Sequence, residues 1–242
     1  MGHPTAPFPV AADPDRGAAR RARLAEARLY VCTDLQRFLD DAGVLDEAAF
    51  AAFCTAALRG GVDLIQVRDK AVDVAVELAA FAVLVPLARE HGALSAANDR
   101  ADVAALAGVD VFHTGQTDLT TAQCRALLGP DVVLGRSCHT PDHVRAARAE
   151  EGLDYYCTGP VWATPTKPGR ARVGLELPAL AAALDAADPD GARPWFAIGG
   201  VDAERLPQVR EAGAGRIVVV RAVTQAADPE AAARELRAGL PA

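Results

Sequence analysis

Lysine is almost absent from this chain. Of its 25 basic residues only Lys70 and Lys167 are lysine, and the other 23 are arginine. Methionine occurs once and aromatic side chains make up 5% of the 242 residues, so alanine, valine and leucine must supply most of a core. No uninterrupted apolar span of about 20 residues occurs, and no membrane-crossing helix is expected. The first 30 residues also lack an apolar run of signal-peptide kind. An excess of positive charge is missing too. The formal charge is −7, so neither a nucleic acid nor an anionic membrane is expected as a partner, and any anion site must be a local concentration of cations. The five cysteines, Cys32, Cys54, Cys124, Cys138 and Cys157, form no CxxC pair and share no ligand spacing with histidine. That disfavours structural zinc and predicts reduced, mostly buried thiols in a cytoplasmic protein.

What the sequence does contain is alternation. Short runs rich in Val, Ile and Leu are followed by longer Ala/Leu/Arg/Glu segments with helical spacing. The short runs are ARLYVCT, VDLIQVR, ALSAAN, VDVFHT, VVLGRS, DYYCTG, PWFAIGG and RIVVVRA. Among the helical segments, DEAAFAAFCTAALRGG carries its stop in Gly60 and Gly61, and TPDHVRAARAEEG has Thr140 as N-cap, Pro141 at the first position and Gly152 as its end. Eight strand–helix units imply parallel strands with right-handed crossovers, and hence a single-domain (β/α)8 TIM barrel over residues 28–242. Residues 1–27 form an N-terminal leader, disordered to about residue 16, with ARRARLAEA as a short helix. A doubly wound open sheet is the competitor, but no GxGxxG follows the first strand.

A barrel places its chemistry at the C-terminal ends of the strands. Strand two ends in IQVRDK, and period-two spacing puts Gln66, Arg68 and Lys70 on one side, suited to gripping an anion. Strand three ends in AAND and strand four runs into HTGQTDL, so Asp99 and Asp118 follow adjacent strands. Two converging carboxylates completed by phosphate oxygens and water suit Mg2+. Each carboxylate alone also suits a helix cap. Strand five presents Ser137, whose hydroxyl suits a phosphate oxygen or a substrate amine, and His139, which has no triad partner. Strand six leads into GPVWATPTKPG, a proline-stiffened loop bearing Thr164, Thr166 and Lys167. Strand seven ends in Gly199–Gly200, and strand eight exits through Val220 and Arg221, where barrels often bind a phosphate. Two anion-binding regions over one mouth fit a transferase better than a hydrolase.

These motifs, QVRDK, ND, FHTGQTDL, GRSCHT, GPVWATPTKPG, AIGG and VVVRAV, occur in the order and spacing of the thiamine phosphate synthases, and the chain resembles that family from about Leu29 to about Leu240. The resemblance implies a TIM barrel that joins hydroxymethylpyrimidine diphosphate to hydroxyethylthiazole phosphate with Mg2+, giving thiamine phosphate and pyrophosphate. It implies a dissociative reaction in which pyrophosphate leaves first and the thiazole nitrogen captures a pyrimidine methyl cation. It assigns Asp99 and Asp118 to the metal. Gln66, Arg68, Lys70, Asn98, Ser137 and Lys167 fall to the pyrimidine diphosphate, with Arg68, Ser137 and Lys167 taking part in the chemistry. Thr164, Thr166, Gly199, Gly200, Val220 and Arg221 fall to the thiazole phosphate. Two positions depart from the family pattern: Arg221 stands where serine is usual, and Thr114 replaces an apolar residue before GQ. At Arg221 either a phosphate contact or an ion pair with an acidic rim neighbour satisfies the sequence. A thiazole tautomerase of the same superfamily is the nearest rival, but it has no use for the carboxylate pair or the TPTK loop. Homo-oligomerisation is left open by the sequence.

Overall fold

The computed structural model describes residues 13–164 and 172–241. Eight parallel strands close into a barrel in sequence order: β1 (Leu29–Thr33), β2 (Leu64–Val67), β3 (Leu94–Asn98), β4 (Val111–Thr114), β5 (Val133–Cys138), β6 (Tyr155–Thr158), β7 (Trp195–Ile198) and β8 (Ile217–Val219). The β8 strand pairs back onto β1 through Leu29↔Ile217 and Val31↔Val219, completing the closure. The expected strands are all present, each shorter than its apolar run except β5, which has the six-residue length of its run shifted by one position.

Around the barrel lie α2 (Glu47–Arg59), α3 (Val74–Glu90), α4 (Ala101–Ala107), α5 (Thr121–Leu128), α6 (Pro141–Ala149), α7 (Glu176–Ala187), α8 (Leu206–Glu211), α9 (Arg221–Thr224) and α10 (Pro229–Ala238), numbered after α1 (Pro14–Glu26). Local chemistry sets their ends. Thr140 caps α6 through its hydroxyl, which accepts from the His143 N–H, with Pro141 opening the helix. This helix stops at Ala149, earlier than expected, and Gly152 turns the chain beyond it at φ 80°. A capping box of Thr120 and Gln123 starts α5, and Asp46 caps α2, which ends at Gly60.

Three aromatics, Tyr30, Tyr155 and Phe196, fill the barrel interior, and most of the others lie between strands and helices. Side chains alternate along each strand, so Tyr30, Leu64, Val111, Tyr155 and Phe196 pack in the interior while Leu29, Val31, Ile65 and Phe112 meet the helices. Tyr30 and Tyr155 each meet Phe196 edge to face, with ring centroids 5.6 and 5.8 Å apart.

Helix α1 extends further toward the N-terminus than expected, because Asp13 supplies an N-cap to the Arg16 N–H and Pro14 fixes the first turn. It is anchored across the N-terminal end of the barrel. Arg20 pairs with Asp110 at 2.8 Å and Arg21 with Asp154 at 2.7 Å, two carboxylates that immediately precede β4 and β6. Leu24 and Ala27 join the interior cluster. One end of the barrel is thereby filled, and the C-terminal rim is left for chemistry.

Candidate active site

A cavity of about 320 Å³ opens at the C-terminal rim. Gln66, Arg68, Asn98 and Ser137 line one side, and Thr164, Gly199, Gly200, Val220 and Arg221 line the other. These nine residues, and His139 with them, were singled out from sequence and meet in one space.

Gln66 faces inward from β2 and is 4% exposed. Its amide nitrogen is buried without a hydrogen-bond partner, a donor waiting for an acceptor on a ligand. Arg68 follows on the same side. Lys70 does not, because β2 ends at Val67 and the alternation ends with it. Asp69 turns the chain there: its carboxylate accepts from the N–H groups of Leu35 and Ala71 and from the Gln36 side-chain amide. Burial raises the Asp69 pKa, but these hydrogen bonds outweigh it and hold the carboxyl below its ordinary value. Lys70 instead reaches over the rim to Asp99, with Nζ–Oδ2 at 2.8 Å.

Asp99 sits at φ 61°, in the left-handed region at the exit of β3. Burial raises its pKa, but the Lys70 hydrogen bond, the neighbouring Asp118 and the charges of Lys70 and Arg68 hold the carboxyl below the usual range. The two carboxyl groups expected to converge lie close enough for each to act on the other. Neither caps its helix: Arg100 occupies the cap of α4 with no side-chain bond, and Thr120 caps α5. Asp118 accepts from the Gly115 N–H at 2.6 Å, folding the GQTD turn back toward Asp99. Two oxygen-donor side chains freed from capping, at the edge of a cationic cavity, fit a hard divalent ion completed by phosphate oxygens and water. No group of three or more His, Cys, Asp or Glu suited to a metal occurs among the described residues, so the protein alone offers a partial set.

The strand-six and strand-seven exits are zipped together. Val161 N–H donates to Ile198 O and Trp162 N–H to Gly199 O, both at 2.9 Å. Gly199 and Gly200 have φ of 106° and 71°, and a Cβ there would stand 2.6 Å from Pro160 and 2.8 Å from Trp162. Both glycines are required by space and by backbone. Thr166 and Lys167 lie outside the described residues.

Strand eight ends two residues before Arg221, which opens the short helix α9 with Val220 at its cap. Arg221 is exposed at the cavity edge, and no ion pair to an acidic neighbour is formed by it among the described residues. His139 donates Nδ1–H to Gly159 O at 2.6 Å, a contact that holds the strand-six exit. Thr114 bonds Gly135 O at 3.3 Å inside the wall, a packing substitution.

Two cavity residues were missed from sequence. Arg205 donates to Gly200 O at 2.9 Å and lies over the Trp162 ring at 5.2 Å, bracing the glycine turn. His113 stands between Ser137 and Tyr155. Arg205 reads as one more arginine of a helix start. His113 lay within the HTGQ motif, but only the three-dimensional register shows what it touches.

Comparison with known proteins agrees with this geometry. Residues 29–223 match the family model described as thiamine monophosphate synthase. A thiamine-phosphate synthase of Mycobacterium bovis (strain BCG) is 52% identical over 230 residues, covering 91% of this chain and 98% of that protein. One from Streptomyces avermitilis is 52% identical over 215 residues, covering 89% and 94%. The solved thiamine phosphate pyrophosphorylase of Pyrococcus furiosus superposes with a TM-score of 0.72 at 27% identity, covering 90% and 96%. A 3-hexulose-6-phosphate synthase at 23% identity and TM-score 0.61 shares the fold.

Proposed function

The chain belongs to the thiamine monophosphate synthase family, and on that premise we propose how its barrel mouth carries out the family's transferase reaction. Hydroxymethylpyrimidine diphosphate and hydroxyethylthiazole phosphate lie side by side in the cavity and leave as thiamine phosphate and pyrophosphate. The observation that carries the reading is the split lining: amide and hydroxyl groups with Arg68 on one wall, the paired glycines with Arg221 on the other.

Gln66 and Asn98 supply amides to the pyrimidine, and Ser137 a hydroxyl. Arg68, Lys70 and Lys167 face the diphosphate. Thr164, Thr166, Gly199, Gly200, Val220 and Arg221 hold the thiazole phosphate. Asp99 and Asp118 would hold Mg2+, which when bound offsets the negative charge of the diphosphate. The chain's own contribution is then electrostatic. The bond from the pyrimidine methylene carbon to the diphosphate oxygen breaks with its electron pair going to oxygen. Arg68 and Lys167 stabilise the charge that develops there. The thiazole nitrogen, held across the cavity, donates its lone pair to the methylene carbon and closes the new C–N bond. No general base is required for this step.

Five described cysteines, all buried and none in a disulfide, suit a reducing cytoplasm as the working compartment. Among the described residues no helix is long and apolar enough to cross a membrane. The test is direct: thiamine phosphate should form when both substrates and Mg2+ are supplied and should cease on chelation. Product formation unaffected by chelation would remove the metal from the reading.

A further inference from the structure

We propose that His113 is a positioning residue for Ser137, linking it to the Tyr155 phenol in a one-way hydrogen-bond relay that turns the Ser137 proton toward an acceptor atom of the pyrimidine ligand. The proposal rests on the functional reading above and adds to it two residues, His113 and Tyr155, to which that reading gives no role.

The relay is visible in the barrel interior. His113 Nδ1 is 3.0 Å from the Tyr155 hydroxyl, and Nε2 is 2.9 Å from Ser137 Oγ. His113 and Ser137 are 6% and 4% exposed, and both line the cavity, whereas Tyr155 is fully buried beneath them. The three come from successive strands, β4, β5 and β6. In register His113 faces Gly135, and Gly135 faces Tyr155. A side chain at position 135 would stand between them: a Cβ there would lie 2.0 Å from the Tyr155 ring. Gly135 is therefore the opening through which the Tyr155 phenol crosses β5 to reach the imidazole.

Polarity follows from counting protons. Tyr30 packs beside Tyr155 in the interior, with ring centroids 6.5 Å apart. Burial raises both phenol pKa values well above the ordinary value, so each keeps its proton. Tyr155 gives its proton to His113 Nδ1, which lies 3.0 Å away. A neutral imidazole with Nδ1 accepting carries its hydrogen on Nε2, and Nε2–H points at Ser137 Oγ. Ser137 receives there, and its own O–H is left for the cavity. On this account Ser137 is a donor to a ring nitrogen or oxygen acceptor rather than a receiver of the substrate amine.

The tautomer is read first, on the wild-type protein labelled with 15N at histidine. The expected pattern is a neutral ring protonated at Nε2 at neutral pH. A ring protonated at Nδ1, or at both nitrogens, would overturn the relay.

Steady-state kinetics test the role. His113→Asn removes the donor at the Nε2 position and should lower kcat/KM for the pyrimidine diphosphate about tenfold, as expected for one hydrogen bond lost. The KM for thiazole phosphate should not move. His113→Gln, which restores an N–H near Nε2, should recover most of that loss. In a Ser137→Ala background His113→Asn should add nothing. An equal loss with and without Ser137 would show that His113 acts by another route. If the wild-type protein makes no thiamine phosphate, the functional reading fails by itself, while the tautomer result still decides the relay.

Discussion

Lys70 and Asp99 hold each other across the barrel rim, Nζ to Oδ2 at 2.8 Å, although one side chain leaves β2 and the other leaves β3. The cation read as an anion ligand and the carboxylate read as a metal ligand are thus parts of one charge network, with Arg68 and Asp118 as its other members. Lys70 is 63% exposed, so the pair contributes little to stability, and its weight lies in positioning charge at the mouth.

Asp99→Asn and Asp118→Asn should each lower turnover by orders of magnitude while leaving the circular dichroism spectrum and melting temperature nearly unchanged. Neither carboxylate caps a helix, and asparagine at position 118 keeps an oxygen to accept the Gly115 N–H. Activity close to that of the wild type at limiting Mg2+ would remove that residue from the metal site.

Lys167→Ala should slow the chemical step more than it weakens substrate affinity, because charge on the departing pyrophosphate develops mainly in the transition state. Rapid-quench single-turnover measurements with both substrates saturating read this directly. An unchanged chemical rate would reduce the lysine to a docking contact.

Arg221→Ser, which installs the residue usual in the family, should raise the KM for thiazole phosphate about ten- to a hundredfold, as for loss of a charge-assisted hydrogen bond. The KM for pyrimidine diphosphate should stay nearly constant. Equal effects on both substrates, or none on either, would count against the phosphate role.

The barrel was legible in the sequence because two periodicities alternate with few interruptions, and because caps such as Thr140 and stops such as Gly60 mark the helix ends. Strand ends were less legible. Asp69 diverts Lys70 through hydrogen bonds to Leu35 and Gln36, residues far away in sequence, and no local pattern announces such a turn. Arg221 looked like the end of β8 because apolar residues run up to it, yet strand pairing stops at Val219. Arg205 and His113 acquire meaning only when Gly200 and Ser137 come beside them.

Asp69 gives a pH prediction. Its folded pKa lies below the ordinary carboxylate value, so its contribution to stability is fully present above that ordinary value and is lost as pH falls through the lower, folded one. The stability difference between wild type and Asp69→Ala should accordingly be largest near neutral pH and shrink in strong acid. Urea unfolding across the acid range measures it, and a difference constant with pH would contradict the assignment.

The account stands or falls on two phosphorylated substrates being joined in one cavity. Quantifying thiamine phosphate and pyrophosphate together in a single turnover, with both substrates and Mg2+ present, tests this most directly. Equal amounts of the two products are predicted, with both yields collapsing in parallel when Arg68 is replaced by alanine. Pyrophosphate released without thiamine phosphate would mean that the site hydrolyses the diphosphate, and the transferase account would be contradicted.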